Sequence, residues 1–108
     1  MGVWKRACLL AVRVYDILRD CRDYGLKDQM ARAAVSTASN IAEGAERNSG
    51  PDFNRFVHIA KGSAAELRTQ VYIAQQIGLI DKTIQKEMVA ELKELSAMLQ
   101  SLSNSLKT

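Results

Sequence analysis

The chain has little of several residue types that would point to a particular chemistry. It contains one histidine, His58, and two cysteines, Cys8 and Cys21. A single histidine excludes a cluster of histidine metal ligands. The two cysteines fall on one predicted helix, about 20 Å apart along its axis, whereas a disulfide needs Cα atoms within about 7 Å. We therefore expect no cofactor, no metal and two free thiols, as in a reduced intracellular protein.

Long apolar runs and runs of one charge sign are also missing. No segment approaches the roughly 20 apolar residues that cross a bilayer, and no signal-peptide pattern opens the sequence. These absences predict a cytoplasmic protein without a membrane partner. The net charge of +3 is spread thinly over the chain, with no basic tail. A sequence pI near 9.0 therefore permits nucleic-acid binding without requiring it.

Aromatic residues make up only 6% of the chain and Pro51 is the one proline, whereas apolar residues reach 47%. Apolar positions recur every three or four residues, which predicts amphipathic helices with an aliphatic core. No alternating strand pattern occurs. We predict helices from about Val3 to Arg22, from about Leu26 to Arg47, from Pro51 to Gly78, and from the N-cap Asp81 to about Leu106. Gly25 is predicted to be left-handed in the first connection, and Ser49 and Asp52 have capping-box spacing at the start of the third helix. Short connections make consecutive helices antiparallel. The expected fold is all-α, an antiparallel up-down-up-down four-helix bundle forming a single domain over residues 1–108.

The helices carry more apolar surface than one bundle core needs. On the first helix, Trp4 and Tyr15 are predicted to face the core together with Ala7, Cys8, Ala11, Val14 and Leu18. The first and third helices each carry a second apolar stripe, which contains Leu10 and Ile17 on the first helix and Ile59 and Ile73 on the third. A wide stripe buried inside one small bundle would explain it, but we favour a surface for self-association.

The second helix is built from Ala, Ser, Thr and Gly on its apolar side, so a neighbouring helix can approach closely. Polar residues recur along it at three- and four-residue steps, which places them near one stripe. We predict a buried polar cluster that fixes the register of the bundle, formed by Arg32, Asn40, Glu43 and Glu66. Glu43 and Glu66 could also be read as a catalytic carboxylate pair, but a structural role is the simpler interpretation. We assign no catalytic residue, and His58 is interpreted as a satisfied histidine at the edge of the core.

Basic residues are densest on the first helix. We predict that some of them share an outward sector with basic residues of the third helix and form a nucleic-acid surface that contains Lys5, Arg6, Arg13, Arg22, Lys61 and Arg68. Such a surface would bind the phosphate backbone with steep salt dependence. No aromatic platform for base stacking is predicted.

Four separate motifs resemble one known family. They run from Val3 to Ala7, from Tyr24 to Ser36, from Asn40 to Gly44 and from Arg55 to Leu67. Together they are similar to the bacterial four-helix-bundle family encoded by intervening sequences in large-subunit ribosomal RNA genes. The resemblance implies a non-enzymatic bundle that forms rings, often of five subunits. A related branch serves as the accessory subunit of diversity-generating retroelements, in association with a reverse transcriptase and its RNA.

The leading functional hypothesis is thus a homo-oligomeric scaffold associated with RNA, and the resemblance implies that it is a pentamer. Two alternatives stay open: a retroelement accessory subunit that binds reverse transcriptase and RNA, and a plain protein-interaction module. An RNase-like enzyme is the competing hypothesis from a different class. A reverse-transcriptase gene beside this one would favour the accessory subunit, whereas a location inside a ribosomal RNA gene would favour the leading hypothesis.

Overall fold

Four helices make up most of the chain in the structure, a computed structural model that describes residues 1–107. They are α1 (Gly2–Ile17), α2 (Tyr24–Ala45), α3 (Gly50–Gln76) and α4 (Lys82–Ser105). No strand occurs within this described range, so the predicted all-α fold is confirmed. Within the same range, no helix combines the length and the apolar character needed to cross a membrane.

Each helix packs against two others, in the closed order α1, α2, α3, α4 and back to α1. The contacting side chains of α2 and α3 run in opposite directions, since Gly44 faces Phe56 whereas Ser36 reaches Ser63. The other helix pairs follow the same rule, as in Asn54–Ser103, Lys61–Gln100, Arg6–Glu94 and Arg13–Glu87. This arrangement is the four-helix bundle that the periodicity predicts.

Side-chain caps begin three of the four helices. Asp23, Ser49 and Asp81 accept hydrogen bonds from the backbone N–H groups three residues later, at 3.1, 3.2 and 2.8 Å. Each bond satisfies a backbone donor that has no partner inside its helix. The caps at Ser49 and Asp81 agree with the sequence prediction. The cap at Asp23 was not predicted, and it starts α2 before Leu26.

The connection between α1 and α2 is longer than the sequence predicts. α1 ends at Ile17 instead of Arg22, and a turn follows in which the Leu18 carbonyl accepts a hydrogen bond from Cys21 N at 3.0 Å. Lys27 Nζ donates to the exposed carbonyl of Arg19 at 3.2 Å, which replaces a continued helical bond. Gly25, predicted to end the first helix in a left-handed conformation, lies in the first turn of α2 instead.

The core is aliphatic, and its largest fully buried side chains come from all four helices: Leu18, Met30, Ile41, Leu67, Met88, Leu92, Leu95 and Leu99. On α1 the core-facing side differs from the prediction. Val3 and Leu10 are buried, whereas Trp4 is 38% exposed and Tyr15 is 52% exposed. The predicted core positions of Trp4 and Tyr15 are therefore wrong. α1 is apolar on more than one side, and packing against α4 selects the side that contains Leu10.

α2 and α3 approach each other closely around Gly44. A Cβ atom at this position would lie 2.7 Å from Phe56 Cβ and 2.9 Å from Phe53 Cδ1. The rest of the buried side of α2 is largely Ala and Thr, and the Thr37 hydroxyl is satisfied by donating to the Ala33 carbonyl at 2.9 Å. The small-residue pattern of this helix therefore does what the sequence predicts and allows close helix packing.

Candidate nucleic-acid interface

α1 and α4 meet along a row of ion pairs. The Arg6 guanidinium donates to both carboxylate oxygens of Glu91 at 2.9 Å and to Glu94 Oε1 at 2.6 Å. Two turns further along α1, Arg13 pairs with Glu87. The hydrogen bond from Arg6 lowers the pKa of the Glu94 carboxyl group. The same bonds raise the pKa of the Arg6 guanidinium, so the charges of this row hold two helices together.

These pairs contradict the predicted basic sector shared by α1 and α3. Arg6 and Arg13 face α4, where glutamates compensate their charge. α1 and α3 lie diagonally across the bundle, with no Cα atoms of the two helices within 8 Å of each other. Lys5 is exposed on α1 and Arg22 is exposed in the first connection. The structure therefore does not bring the six predicted residues together, and Lys61 and Arg68 share one side of α3 away from Lys5 and Arg22.

The charges on α4 are divided between its two edges. The edge that faces α1 carries acidic residues at steps of four and three: Glu87, Glu91 and Glu94. The opposite edge carries lysines. Lys93 borders α3, and Lys86 lies two helical turns before it on the same side. α1 therefore covers the acidic edge and leaves the basic edge exposed beside α3.

A groove of about 360 Å³ runs between α3 and α4, and we call it the α3–α4 groove. Its lining residues are Arg68, Thr69, Tyr72, Gln85, Val89 and Lys93. Arg68 and Lys93 are exposed, and neither has an ion-pair partner within residues 1–107. No carboxylate is among the lining residues. The groove therefore presents uncompensated positive charge.

Lys61 extends this positive surface along α3. Its ammonium group donates to the neutral amide of Gln100 on α4, which satisfies a donor and leaves the charge uncompensated. Glu66 lies on the opposite side of α3 from Arg68, because two residues advance a helix by about 200°. The basic surface therefore contains Lys61, Arg68, Lys86 and Lys93, and it borders one exposed aromatic residue, Tyr72.

Lys86, Lys93 and Tyr72 were missed by the sequence analysis. The signal for the lysines lies in α4, where Lys86 and Lys93 recur at a seven-residue step beside the acidic row that begins at Glu87. A helical-wheel projection of α4 would have placed its lysines and its glutamates on different sides of the helix. Nothing in the sequence alone indicates that Tyr72 stands beside Lys93, since that contact depends on how α3 and α4 pack.

The predicted polar cluster of Arg32, Asn40, Glu43 and Glu66 does not form. Arg32 has a side chain that is 79% exposed and pairs with Asp28 at 2.9 Å, and Glu43 pairs with Arg47 at 3.1 Å. Glu66 is exposed. The two four-residue steps from Arg32 to Asn40 each turn the stripe by about 40° toward α3, and the three-residue step to Glu43 turns it back by about 60°. Arg32 and Glu43 therefore point to solvent, whereas Asn40 lies beside α3.

A smaller polar contact takes the place of that cluster. Asn40 Nδ2 donates to the Ser36 carbonyl at 2.8 Å and to Ser36 Oγ at 3.0 Å. Ser36 Oγ in turn lies 3.0 Å from Ser63 Oγ on α3. Asn40 is therefore the one predicted member that takes part in a polar link between α2 and α3, and the link contains no charge.

An apolar surface lies on the other side of the molecule, between α1 and α2. A shallow groove of about 340 Å³ is lined by Trp4, Cys8, Ala11, Val35, Ala38, Ser39 and Ala42. A neighbouring groove adds Tyr15 and Ala31 and is bordered by the Asp28–Arg32 ion pair. We call this surface the α1–α2 face. Of the residues predicted to mediate self-association, Leu10 is buried in the core and Ile17 is half-buried, whereas Ile59 and Ile73 are exposed on α3.

His58 and Ser103 form the nearest approach to a hydrolytic pair, with Ser103 Oγ 3.5 Å from His58 Nε2. The Ser103 hydroxyl is fully buried and donates its hydrogen to Asn54 Oδ1 at 2.7 Å. A nucleophile must instead be accessible and give its proton to the base, so this pair is structural. Within residues 1–107, no group of three or more His, Cys, Asp and Glu side chains could hold a metal ion.

A solved structure supports the fold. A protein of unknown function from Bacteroides thetaiotaomicron, assigned to the S23 ribosomal protein family, superposes with a TM-score of 0.88 at 22% identity, over 94% of this chain and 97% of that chain. Comparison with curated proteins gives no match. The family described as 23S rRNA-intervening sequence protein matches residues 1–101. This match covers all of α1, α2 and α3 and most of α4. The chain therefore belongs to the 23S rRNA-intervening sequence protein family.

Proposed function

We propose that this protein is a self-assembling helical scaffold that associates with RNA through the phosphate backbone. The observation that carries the proposal is the basic surface along the α3–α4 groove, where Lys61, Arg68 and Lys93 have no carboxylate partners. Lysine and arginine side chains that neutralise phosphates release counterions, and this supplies affinity without regard to sequence. The proposal includes no catalytic step.

Assembly would strengthen such binding. One chain carries a net charge of +3, and a ring of five chains multiplies that charge fivefold. The α3–α4 groove contributes unpaired positive charge to each subunit, whereas the arginines of the α1–α4 contact are already neutralised. Several weak sites on one body bind a long polyanion more tightly than one site does.

The α1–α2 face supports self-assembly. Its alanines leave room for a helix from another copy, and Trp4, Tyr15 and Val35 provide exposed apolar contact area. The exposed Ile59 and Ile73 on α3 would provide the other side of the contact. Because these are two different surfaces, the contact would be heterologous, and such a contact forms a ring when the rotation between copies closes. The five-fold number follows the family resemblance.

RNA retention by the purified protein tests the proposal. A mixed-sequence single-stranded RNA should bind at about 50 mM salt and bind at least roughly tenfold more weakly at about 200 mM salt. The double variant Arg68→Gln/Lys93→Gln should lose most of this binding. The matched control Arg19→Gln/Arg55→Gln removes the same charge from residues that are paired with carboxylates elsewhere on the surface. Absence of RNA binding at low salt would contradict the proposal.

Two other candidate functions would also use the α1–α2 face. A plain protein-interaction module would use it for a different protein, and a retroelement accessory subunit would use it for a reverse transcriptase while the α3–α4 groove holds RNA. A purified chain that stays monomeric at micromolar concentration would favour either of these over the self-assembling scaffold. A reverse-transcriptase gene beside this one would then select the accessory subunit.

A further inference from the structure

We propose that the α3–α4 groove selects single-stranded over duplex RNA, with Tyr72 as the platform on which an unpaired base stacks. This inference rests on the proposed association with RNA and names the class of RNA that the same site takes. It also replaces the sequence-based expectation that no stacking platform exists.

The position of Tyr72 carries the inference. Its side chain is 57% exposed, and it lines the α3–α4 groove opposite Gln85 and Val89 of α4. Arg68 lies one helical turn before Tyr72 on the same side of α3. Lys93 completes the groove from α4. An accessible aromatic ring flanked by unpaired cations is the combination that binds single strands, since the cations hold the backbone and the ring holds a base.

The other aromatic side chains lack these surroundings. Phe56 is buried, with the guanidinium carbons of Arg47 and Arg55 each 4.6 Å from its ring centre. Trp4 and Tyr15 belong to the apolar α1–α2 face. Tyr24 is exposed at the start of α2, directly after Asp23. Tyr72 differs from them because it is exposed and lines a groove together with two unpaired cations, Arg68 and Lys93.

The shape of the surface favours a single strand as well. The segment from Lys61 to Tyr72 extends for about 16 Å along α3, which accommodates a short stretch of extended strand. A duplex stacks its bases on one another and presents mainly phosphates and 2′-hydroxyl groups. The cations can contact a duplex, but Tyr72 gains a stacking partner only from an unpaired base. The difference in affinity between the two forms should therefore depend on Tyr72.

The test uses a single-stranded RNA labelled with 2-aminopurine and the same RNA annealed to its complement. The full-length wild-type protein should bind the single strand more tightly and quench the 2-aminopurine fluorescence, because stacking on a ring quenches it. Tyr72→Ala should weaken single-strand binding by about 5- to 150-fold, the range for one stacked base, and remove the quenching. Duplex binding should change little. Tyr72→Phe should keep both the affinity and the quenching.

Tyr24→Ala is the matched control, because it removes an exposed tyrosine that lies outside the α3–α4 groove and directly follows the carboxylate of Asp23. It should behave as wild type, and thermal unfolding should confirm that both alanine variants are folded. A Tyr72→Ala variant that binds the single strand as wild type does would overturn the stacking role. Equal or tighter wild-type binding of the duplex would overturn the selectivity while the proposed function stands. A wild-type protein that binds neither RNA at low salt would overturn both.

Discussion

At the scale of single residues, the missing side chain at Gly44 sets how closely α2 and α3 pack. Gly44→Ala adds a methyl group that meets Phe56 Cβ at 2.7 Å, an atom that cannot move without its backbone. Alanine improves helix propensity by up to about 1 kcal/mol, but overpacking of this kind costs about 1–3 kcal/mol. We expect a net loss of unfolding free energy, measured by urea denaturation.

Gly62→Ala is the control for that measurement. Gly62 also lies inside a helix, but a Cβ atom there meets nothing within 4 Å. Propensity alone should then act, and the variant should be more stable than wild type by up to about 1 kcal/mol. Equal effects of the two substitutions would show that the contact at Gly44 is looser than the structure has it.

The Arg6–Glu94 pair predicts how stability changes with pH. Because the hydrogen bond from Arg6 lowers the pKa of Glu94 in the folded state, the folded protein binds a proton there less readily than the unfolded chain does. The stabilisation from this pair is therefore present above the unfolded-state pKa and is lost as the pH falls through the lower folded-state value. Carbon-detected NMR titration should show the low pKa of Glu94, and Arg6→Gln should raise it toward its ordinary range. An unchanged pKa in that variant would contradict the pairing.

Residue partners were the part of the site that sequence could not predict. Arg6 and Arg13 were assigned to solvent because their positions on α1 are visible in the sequence, whereas the glutamates that neutralise them lie on α4. Asn40 was assigned a charged network because polar spacing reveals a shared stripe but not the neighbour that the stripe meets. Such partners depend on the relative rotation of two helices, which no single segment encodes.

At the scale of helices, local signals were more informative. Ser49 and Asp81 were predicted as N-caps because capping chemistry is confined to four consecutive residues, and the structure confirms both. On α3 the longer of its two apolar stripes, which includes Val57, Ala64 and Leu67, is the buried one. The core side of α1 was predicted wrongly, because apolar residues surround more than half of that helix and allow two packings. The choice depends on α4, which begins 65 residues after α1 ends.

The cap of α4 gives a prediction at this scale. Asp81→Ala removes the acceptor for Ile84 N and should lower the unfolding free energy by about 0.5–2 kcal/mol, while Asp81→Asn should keep most of it. Asp20→Ala serves as the control, because Asp20 is an exposed aspartate in the first connection that caps no helix. Chemical denaturation measures all three variants, and equal effects of Asp81→Ala and Asp20→Ala would contradict a capping role.

At the scale of the whole molecule, the α1–α2 face predicts assembly. Light scattering at micromolar concentration should give a mass several times the 12.0 kDa of one chain. Val35→Glu places a charge in the centre of the face and should shift the protein toward the monomer without loss of helix content. Ala97→Glu, on the exposed side of α4, should keep the wild-type mass. A wild-type protein that is monomeric at every concentration would rule out self-assembly.

Periodicity and short connections were sufficient to predict the bundle as a whole, because these signals repeat along the entire chain. The surfaces that stay open were harder to predict. The position of an exposed groove depends on the rotation of every helix about its own axis. Because the wrong side of α1 was assigned to the core, Arg6 and Arg13 were predicted to face solvent, whereas α4 covers them. The lysines of α4 then became visible only in the packed structure.

The pairing of α1 with α4 also has a consequence for the order of folding. It joins the two ends of the chain, so it closes the longest loop in the molecule, whereas α2 and α3 form a local hairpin. Contacts of that kind are expected to form after the rate-limiting step. Arg6→Gln should then leave the refolding rate nearly unchanged and speed up unfolding, whereas Gly44→Ala, within the α2–α3 hairpin, should mainly slow refolding. The ion pairs of the α1–α4 contact would thus set the unfolding rate, and with it the lifetime of the folded bundle.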